Sequence, residues 1–256
     1  MLLAVDVGNT QTVLGVYDGD ELLHMWRLAT SVDYTSDEMR IKLHALFEAE
    51  KLDRAQITGA VLASVVPALT HTWEKVCQRS FGIEPKVVSS QSCADLLGIV
   101  PGTFKELGAD RVADAVAAKY LYEPPVIVVD FGTATNMEVI DADGNFVGGI
   151  IAPGVETSMR SLFSRASLIP AVELEDPGVA YGANTTEAVQ VGIVLGEAAR
   201  IDGLVERVEA QLGQPAMVVA TGGLAHRIAP LSNRIAAINL ELTLQGLRMI
   251  YNEMTA

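Results

Sequence analysis

An apolar, β-branched run ending in Asp-x-Gly, with amide or hydroxyl residues just beyond it, occurs twice in this chain. The first copy, Leu-Leu-Ala-Val-Asp-Val-Gly-Asn-Thr-Gln-Thr, carries Asp6, Val7, Gly8, Asn9, Thr10, Gln11 and Thr12, with Val13 next. The second, Val-Ile-Val-Val-Asp-Phe-Gly-Thr-Ala-Thr, carries Asp130, Gly132, Thr133 and Thr135. Each copy leads into a further apolar stretch and a short turn: Val13 to Tyr17 then Asp18-Gly19, and Met137 to Ile140 then Asp143-Gly144. That is strand, tight turn, strand, turn, strand, written twice. A repeat at this distance specifies two similar lobes rather than a solenoid. Turns carrying Asp, Gly and Thr that face each other across a cleft between lobes suit a metal-bound nucleotide.

The chain has 256 residues, 50% of them hydrophobic, and a formal net charge of -14. That suffices for one large domain or two small ones. An acidic chain without a long Lys/Arg cluster is a poor partner for nucleic acid or an anionic membrane, and phosphate binding must be local. The two cysteines, Cys77 and Cys93, lack metal-site spacing and read as free thiols of a reducing cytoplasm. The N-terminus enters a strand without a basic start or a cleavable apolar stretch, so no signal peptide is expected. No apolar run approaches the roughly 20 residues of a membrane helix.

Residues 2–8, 12–18 and 21–29 read as a β-meander, and Thr35-Ser36-Asp37-Glu38 as a helix start with a capping box. A strand over 57–66 ends at Pro67, a helix covers 70–81 and a short strand 85–88. Val112, Ala115, Val116 and Tyr120 give 107–122 a helical period, and Glu123-Pro124-Pro125 breaks the chain. The expected lobes are 1–118 and 119–256. The second half repeats the order, with strands at 126–131, 135–141 and 145–151 and a helix at 154–164. A loop holding Pro170 and Pro177 precedes a long helix over 186–212. A strand at 217–220 and helices at 224–229 and 243–253 complete it. Strands preceding helices in each half imply mixed sheets covered by helices.

Four segments carry chemistry. In the Asp6–Val13 turn, backbone N–H groups suit phosphate oxygens, Asn9, Thr10 and Thr12 add side-chain donors, and Asp6 can hold Mg²⁺. The same residue types also build ordinary hairpins, and the second copy is what argues for function. Gly108-Ala109-Asp110-Arg111 opens a helix. Asp110 there is either a dipole partner or a base for a substrate hydroxyl, and Arg111 can fork onto a substrate carboxylate. By repeat symmetry, Asp130–Thr135 touches the other side of the phosphates. Thr221-Gly222-Gly223, where a strand ends in two glycines, lets a flat ring approach backbone and is the natural adenosine contact. The histidines, His24, His44, His71 and His226, form no triad or metal set.

Together these residues resemble the superfamily of acetate and sugar kinases, Hsp70 and actin, and more closely type III pantothenate kinase. The resemblance runs nearly end to end. Beyond the segments above it includes Ser64-Val65-Val66-Pro67, Gly148-Gly149-Ile150-Ile151-Ala152-Pro153-Gly154, Gly182-Ala183-Asn184-Thr185-Thr186 and Leu242-Thr243-Leu244-Gln245-Gly246-Leu247. It implies a duplicated actin-like (ribonuclease H-like) α/β fold, each lobe a mixed five-stranded sheet flanked by helices. It implies ATP-dependent phosphorylation of pantothenate, the first committed step to coenzyme A. Residues 6 to 13 would hold ATP phosphates, with Asp6 on Mg²⁺ through water. Asp110 would be the general base, and Gly108, Ala109, Asp110, Arg111 and Thr185 would line the pantothenate site. Thr133 would touch ATP, and Asp130 would hold a monovalent cation, K⁺ or NH₄⁺. The resemblance also implies a cytoplasmic homodimer whose partner subunit helps cover the substrate.

Three stretches depart from the family's usual pattern. Val100-Pro101-Gly102-Thr103-Phe104-Lys105-Glu106-Leu107 stands where a Tyr and an Asn-Pro pair are usual. Asp114 replaces an Asn and would add negative charge near an anionic substrate. Asn136-Met137-Glu138 replaces Thr-Phe-Asp. Two other readings of the same residues are a kinase of this fold acting on another hydroxyl compound and a nucleotide-binding regulator without turnover.

Overall fold

The structure, a computed structural model, describes residues 1–99, 104–166 and 172–255. Val100 to Thr103, in the departing stretch before Gly108, and Pro170 lie outside them. The chain divides into two compact units, Met1–Ala117 with Leu242–Ala256, and Ala118–Glu241.

In the first unit β1 (Leu2–Val7) lies between β2 (Gln11–Asp18), antiparallel, and β4 (Gly59–Ser64), parallel. With β3 (Glu21–Ala29) and β5 (Lys86–Val87) the sheet order is β3-β2-β1-β4-β5. Leu3, Val5 and Val7 are fully buried, and so is Ala4 on the other face. A strand covered on both faces needs an almost unbroken apolar run, which is what the first motif supplies. Helix α1 (Ser36–Ala49) starts at the expected capping box: Glu38 N–H donates to Thr35 Oγ1 at 3.3 Å and Thr35 N–H to Glu38 Oε2 at 2.8 Å. It buries Met39, Leu43 and Phe47, spaced one turn apart, against the sheet. Helix α2 (Pro67–Phe81) begins earlier than its apolar pattern indicates. Pro67 is its first residue, not the end of a strand, because a first-turn N–H has no partner inside the helix and its loss costs nothing. Gly82, at φ +72°, closes the helix.

Helix α3 (Ala109–Leu121) carries the Asp110 segment. The last helix (Leu242–Thr255, α8 below) groups with the first unit, whereas a division at 118/119 puts it with the second. Three contacts account for this. Thr243 Oγ1 donates to Asp114 Oδ1 at 2.7 Å. Gly246 backs onto α3 so closely that a Cβ there would lie 1.9 Å from the Ala113 carbonyl oxygen. Tyr251 fills the space that a side chain at Gly59 of β4 would need.

The second unit has β6 (Val126–Phe131) between antiparallel β7 (Ala134–Ile140) and parallel β9 (Met217–Thr221). With β8 (Phe146–Pro153) and β10 (Ala237–Ile238) the order is β10-β9-β6-β7-β8. To one side of each central strand both pairings are antiparallel and to the other both are parallel, so the repeated sequence is a repeated topology. β10 has no counterpart among the expected strands: two residues are too short for a period to show. Helix α4 (Val155–Arg165) follows β8, and α7 (Ala225–Ile228) follows β9. The long helix expected over 186–212 is helical throughout but in three parts. These are α5 (Thr185–Gln190), a π-turn (Val191–Leu195) and α6 (Gly196–Leu212). A π-turn holds one residue more than an α-turn, so α6 is rotated by about 100° from an unbroken continuation. Val194, Ala198, Ile201 and Val205 then pack on Ile127, Val129, Phe131 and Met137. Among the described residues no helix is long and apolar enough to cross a membrane.

Candidate functional site

In the first unit Asp6 sits near the end of β1, in register with Val13 of β2 and Ala63 of β4. Gly8 N–H donates to the Gln11 carbonyl at 3.0 Å and closes the turn. A Cβ at Gly8 would lie 2.9 Å from that oxygen, tighter than real side chains sit. Asn9, Thr10 and Gln11 are exposed at the tip. Thr12 is placed differently from its expected role as a phosphate donor: it is buried, and its hydroxyl shares a 2.9 Å hydrogen bond with Thr30. Since Thr30 N–H also donates to the Thr10 carbonyl at 2.9 Å, this end of the hairpin is braced from β3.

The turn, the end of β4 and the start of α3 form one continuous surface. Val65 N–H donates to the Val7 carbonyl at 3.0 Å. Val65 Cγ1 and Asp110 Oδ1 lie 3.2 and 2.5 Å from the point where a Cβ on Gly108 would stand. A side chain at 108 would therefore displace the carboxylate. This edge, at the carboxyl ends of parallel β1 and β4, is where open α/β sheets hold ligands. Asp110 Oδ1 accepts from Arg111 N–H at 2.7 Å. Burial raises the Asp110 carboxyl above the usual Asp range, and the Arg111 N–H and guanidinium offset part of that rise. A raised carboxyl in a helix's first turn is suited to accept a proton. Asp114, four residues along the same helix, is turned toward α8. It is 2% exposed and bonded to Thr243, so it joins α3 to α8.

In the second unit Asp130 is in register with Thr221 on β9 and Asn136 on β7. Gly222 follows at φ +89°, and a Cβ there would lie 2.3 Å from Asp130 Oδ1 and 2.7 Å from the Phe131 nitrogen. Two motifs read separately in the sequence are thus one feature: the Asp130 carboxylate occupies the place of the side chain that Gly222 lacks. Gly132 N–H donates to the Ala134 carbonyl at 3.0 Å, closing the second turn. The Thr133 carbonyl accepts from Gly154 N–H at 3.2 Å and from Thr157 Oγ1 at 2.7 Å.

Thr185 opens α5 and is exposed, behind an Asn184 cap whose side chain accepts from Glu187 N–H at 3.0 Å. It lines a depression of about 560 Å³ with Leu162, Val189, Gly192 and Ile193. Sequence reading passed over Glu197, which is 6% exposed, bonded to Thr135 and paired with Arg200. The signal was present: Glu197 falls three residues after Val194 and four before Ile201, on the apolar stripe of its helix.

A sequence model of the type III pantothenate kinase family matches residues 2–207. A protein of Thermomicrobium roseum described as a type III pantothenate kinase is 43% identical over 254 residues, covering 99% of this chain and 98% of its own. Among solved structures, a putative 2-dehydro-3-deoxygalactonokinase from Sinorhizobium meliloti superposes with a TM-score of 0.63 at 15% identity, covering 99% of this chain and 97% of that one. The ROK hexokinase of Thermus thermophilus gives 0.57 at 14% identity, covering 100% and 99%. At such identities the two structures show the fold alone, a duplicated actin-like α/β architecture.

Proposed function

Since this chain belongs to the type III pantothenate kinase family, we propose that it phosphorylates pantothenate with ATP, giving 4'-phosphopantothenate for coenzyme A synthesis. The observation that carries the reading is the first-unit edge, where an Asp-Gly turn lies beside a half-buried Asp110 whose carboxyl is raised above the usual Asp range. Phosphoryl transfer asks a protein mainly for positioning and charge neutralisation. Asn9, Thr10 and Gln11 offer exposed backbone and side-chain donors to the phosphates. Thr12 supports them from behind through Thr30. Asp110 orients the primary hydroxyl of pantothenate and takes its proton, Gly108 and Ala109 leave room for the chain, and Arg111 pairs with the carboxylate. Thr133, Gly222 and Gly223 contact the nucleotide, and Thr185 contacts pantothenate.

Asp6, one carboxylate beside phosphate donors, fits Mg²⁺, which is commonly held by one or two carboxylates plus substrate oxygens. Asp130, packed over the missing side chain of Gly222, fits a monovalent cation, K⁺ or NH₄⁺. When bound, both ions would neutralise phosphate charge. Exchanging K⁺ for Na⁺ is expected to depress the rate, and equal rates in the two salts would remove the cation from Asp130.

The acting form is a cytoplasmic homodimer under the same proposal. Two features support it. Cys77 and Cys93 are buried free thiols, and edge strand β8 turns exposed Val147 and Ile151 outward, a face that a second copy would cover. Light scattering that returns the mass of one chain would overturn the dimer.

The test of the reaction is ADP release from purified protein with Mg²⁺, ATP and K⁺, with and without pantothenate. Pantothenate-dependent release is expected. Release that needs a different hydroxyl acceptor, or nucleotide binding without release, would overturn the assignment.

A further inference from the structure

The second turn is held from behind by two charged residues that none of the roles above uses. Thr135 stands opposite Phe131 at the base of the turn, and its buried hydroxyl donates to Glu197 Oε1 at 2.7 Å. Arg200, one turn further along α6, pairs with Glu197 at 2.6 Å and donates to the Pro153 carbonyl at 3.2 Å. The next residue, Gly154, donates to the Thr133 carbonyl and packs so tightly that a Cβ there would lie 2.6 Å from that oxygen. The pair thus reaches the turn by two routes, through Thr135 at its base and through Pro153–Gly154 at its tip. Glu197 faces β7 because the π-turn just before it sets the rotation of α6.

We propose that Glu197 and Arg200 are positioning residues that hold the Asp130–Thr135 turn in its ligand-binding form, so that ATP and monovalent-cation affinity depend on them. The proposal rests on the reading that this turn meets ATP and the cation. A carboxylate buried at this depth is costly unless paired, and here it bonds the base of the turn directly and reaches Pro153 through Arg200. Such supporting groups behave like the outer shell of a metal site, whose loss weakens binding without touching the ligand.

The experiment compares Thr135→Val, Thr135→Ser, Glu197→Gln and Arg200→Met with the parent. It reads KM for ATP, KM for pantothenate, half-saturation by K⁺, melting temperature and direct Mg·ATP binding by calorimetry. Thr135→Val and Arg200→Met are expected to raise the ATP and K⁺ constants about tenfold or more while pantothenate KM stays nearly unchanged. Thr135→Ser restores the hydroxyl and is expected to restore both constants. Glu197→Gln can still accept from Thr135 but loses the ion pair, so it covers the case in which a stronger variant fails to fold. A lower melting temperature with unchanged constants would overturn the proposal. So would ATP and pantothenate constants that rise together. Calorimetry keeps the test separate from the reaction: a parent that binds Mg·ATP but does not turn over defeats the kinase reading, whereas variants that bind it like the parent defeat this one.

Discussion

Asp110→Asn is expected to lower kcat by about 10²–10⁴-fold, the usual worth of a positioned general base, with Mg·ATP affinity close to the parent's. The amide keeps the shape of the side chain and can still accept from Arg111 N–H, but it cannot take a proton. The pH profile adds a second check. Burial holds the Asp110 carboxyl above the usual Asp range, so the acid limb of kcat/KM should fall at a higher pH than an exposed Asp gives, and the variant should lack that limb. The stability effect has the opposite sign to the activity effect. A folded-state pKa above the unfolded value means that the folded protein binds this proton more tightly. The group therefore favours folding below the unfolded pKa and costs stability once pH rises through the folded pKa. At neutral pH the variant should melt no lower than the parent, and calorimetry reads this directly. Near-parental turnover would remove Asp110 as the base.

Gly222→Ala is expected to damage folding and nucleotide binding together. The residue sits at φ +89°, and its Cβ would be 2.3 Å from Asp130 Oδ1 and 2.7 Å from the Phe131 nitrogen and carbonyl carbon. The Phe131 atoms belong to a central strand and cannot move without moving the sheet. Overpacking of this kind costs about 1–3 kcal/mol, and a left-handed non-glycine residue costs about 1–2 kcal/mol more. For a chain of this length that is a fall in melting temperature on the order of 10 °C. The displaced Asp130 carboxylate should weaken ATP and K⁺ binding by about tenfold or more. Gly223→Ala is the control, since a Cβ there meets nothing within 4 Å. It should fold like the parent, and a raised ATP KM in that variant would report the adenine ring lying against it. A Gly222→Ala protein with parental melting and parental ATP and K⁺ constants would sink the prediction.

What could be read from the sequence was local. The meander after each Asp-x-Gly turn follows from alternating β-branched residues and Asp-Gly turns. The start of α1 follows from Thr35 and Glu38, which cap it within one turn. The candidate residues were legible because turn chemistry and helix starts depend on a few neighbours. Pro67 misled because it ends a strand and begins a helix with equal ease, and the choice lay in how α2 buries Trp73 and Val76. The π-turn was hidden because its residues suit an α-helix as well, and packing chose the wider turn.

The sequence by itself determined the repeated strand-turn-strand-turn-strand succession, the two Asp turns and the place of Asp110 at a helix start, since each depends on residues within a few positions of one another. Tertiary structure alone decided that Leu242–Thr255 joins the first unit, because only there does Gly246 meet the Ala113 carbonyl at backbone distance. It also decided that Asp114 bonds Thr243 of α8, that Asp130 lies over Gly222, and that Glu197 braces Thr135. These partners are far apart in the chain, and a long-range contact is chosen by which surfaces exclude water together, a property no short stretch of sequence contains.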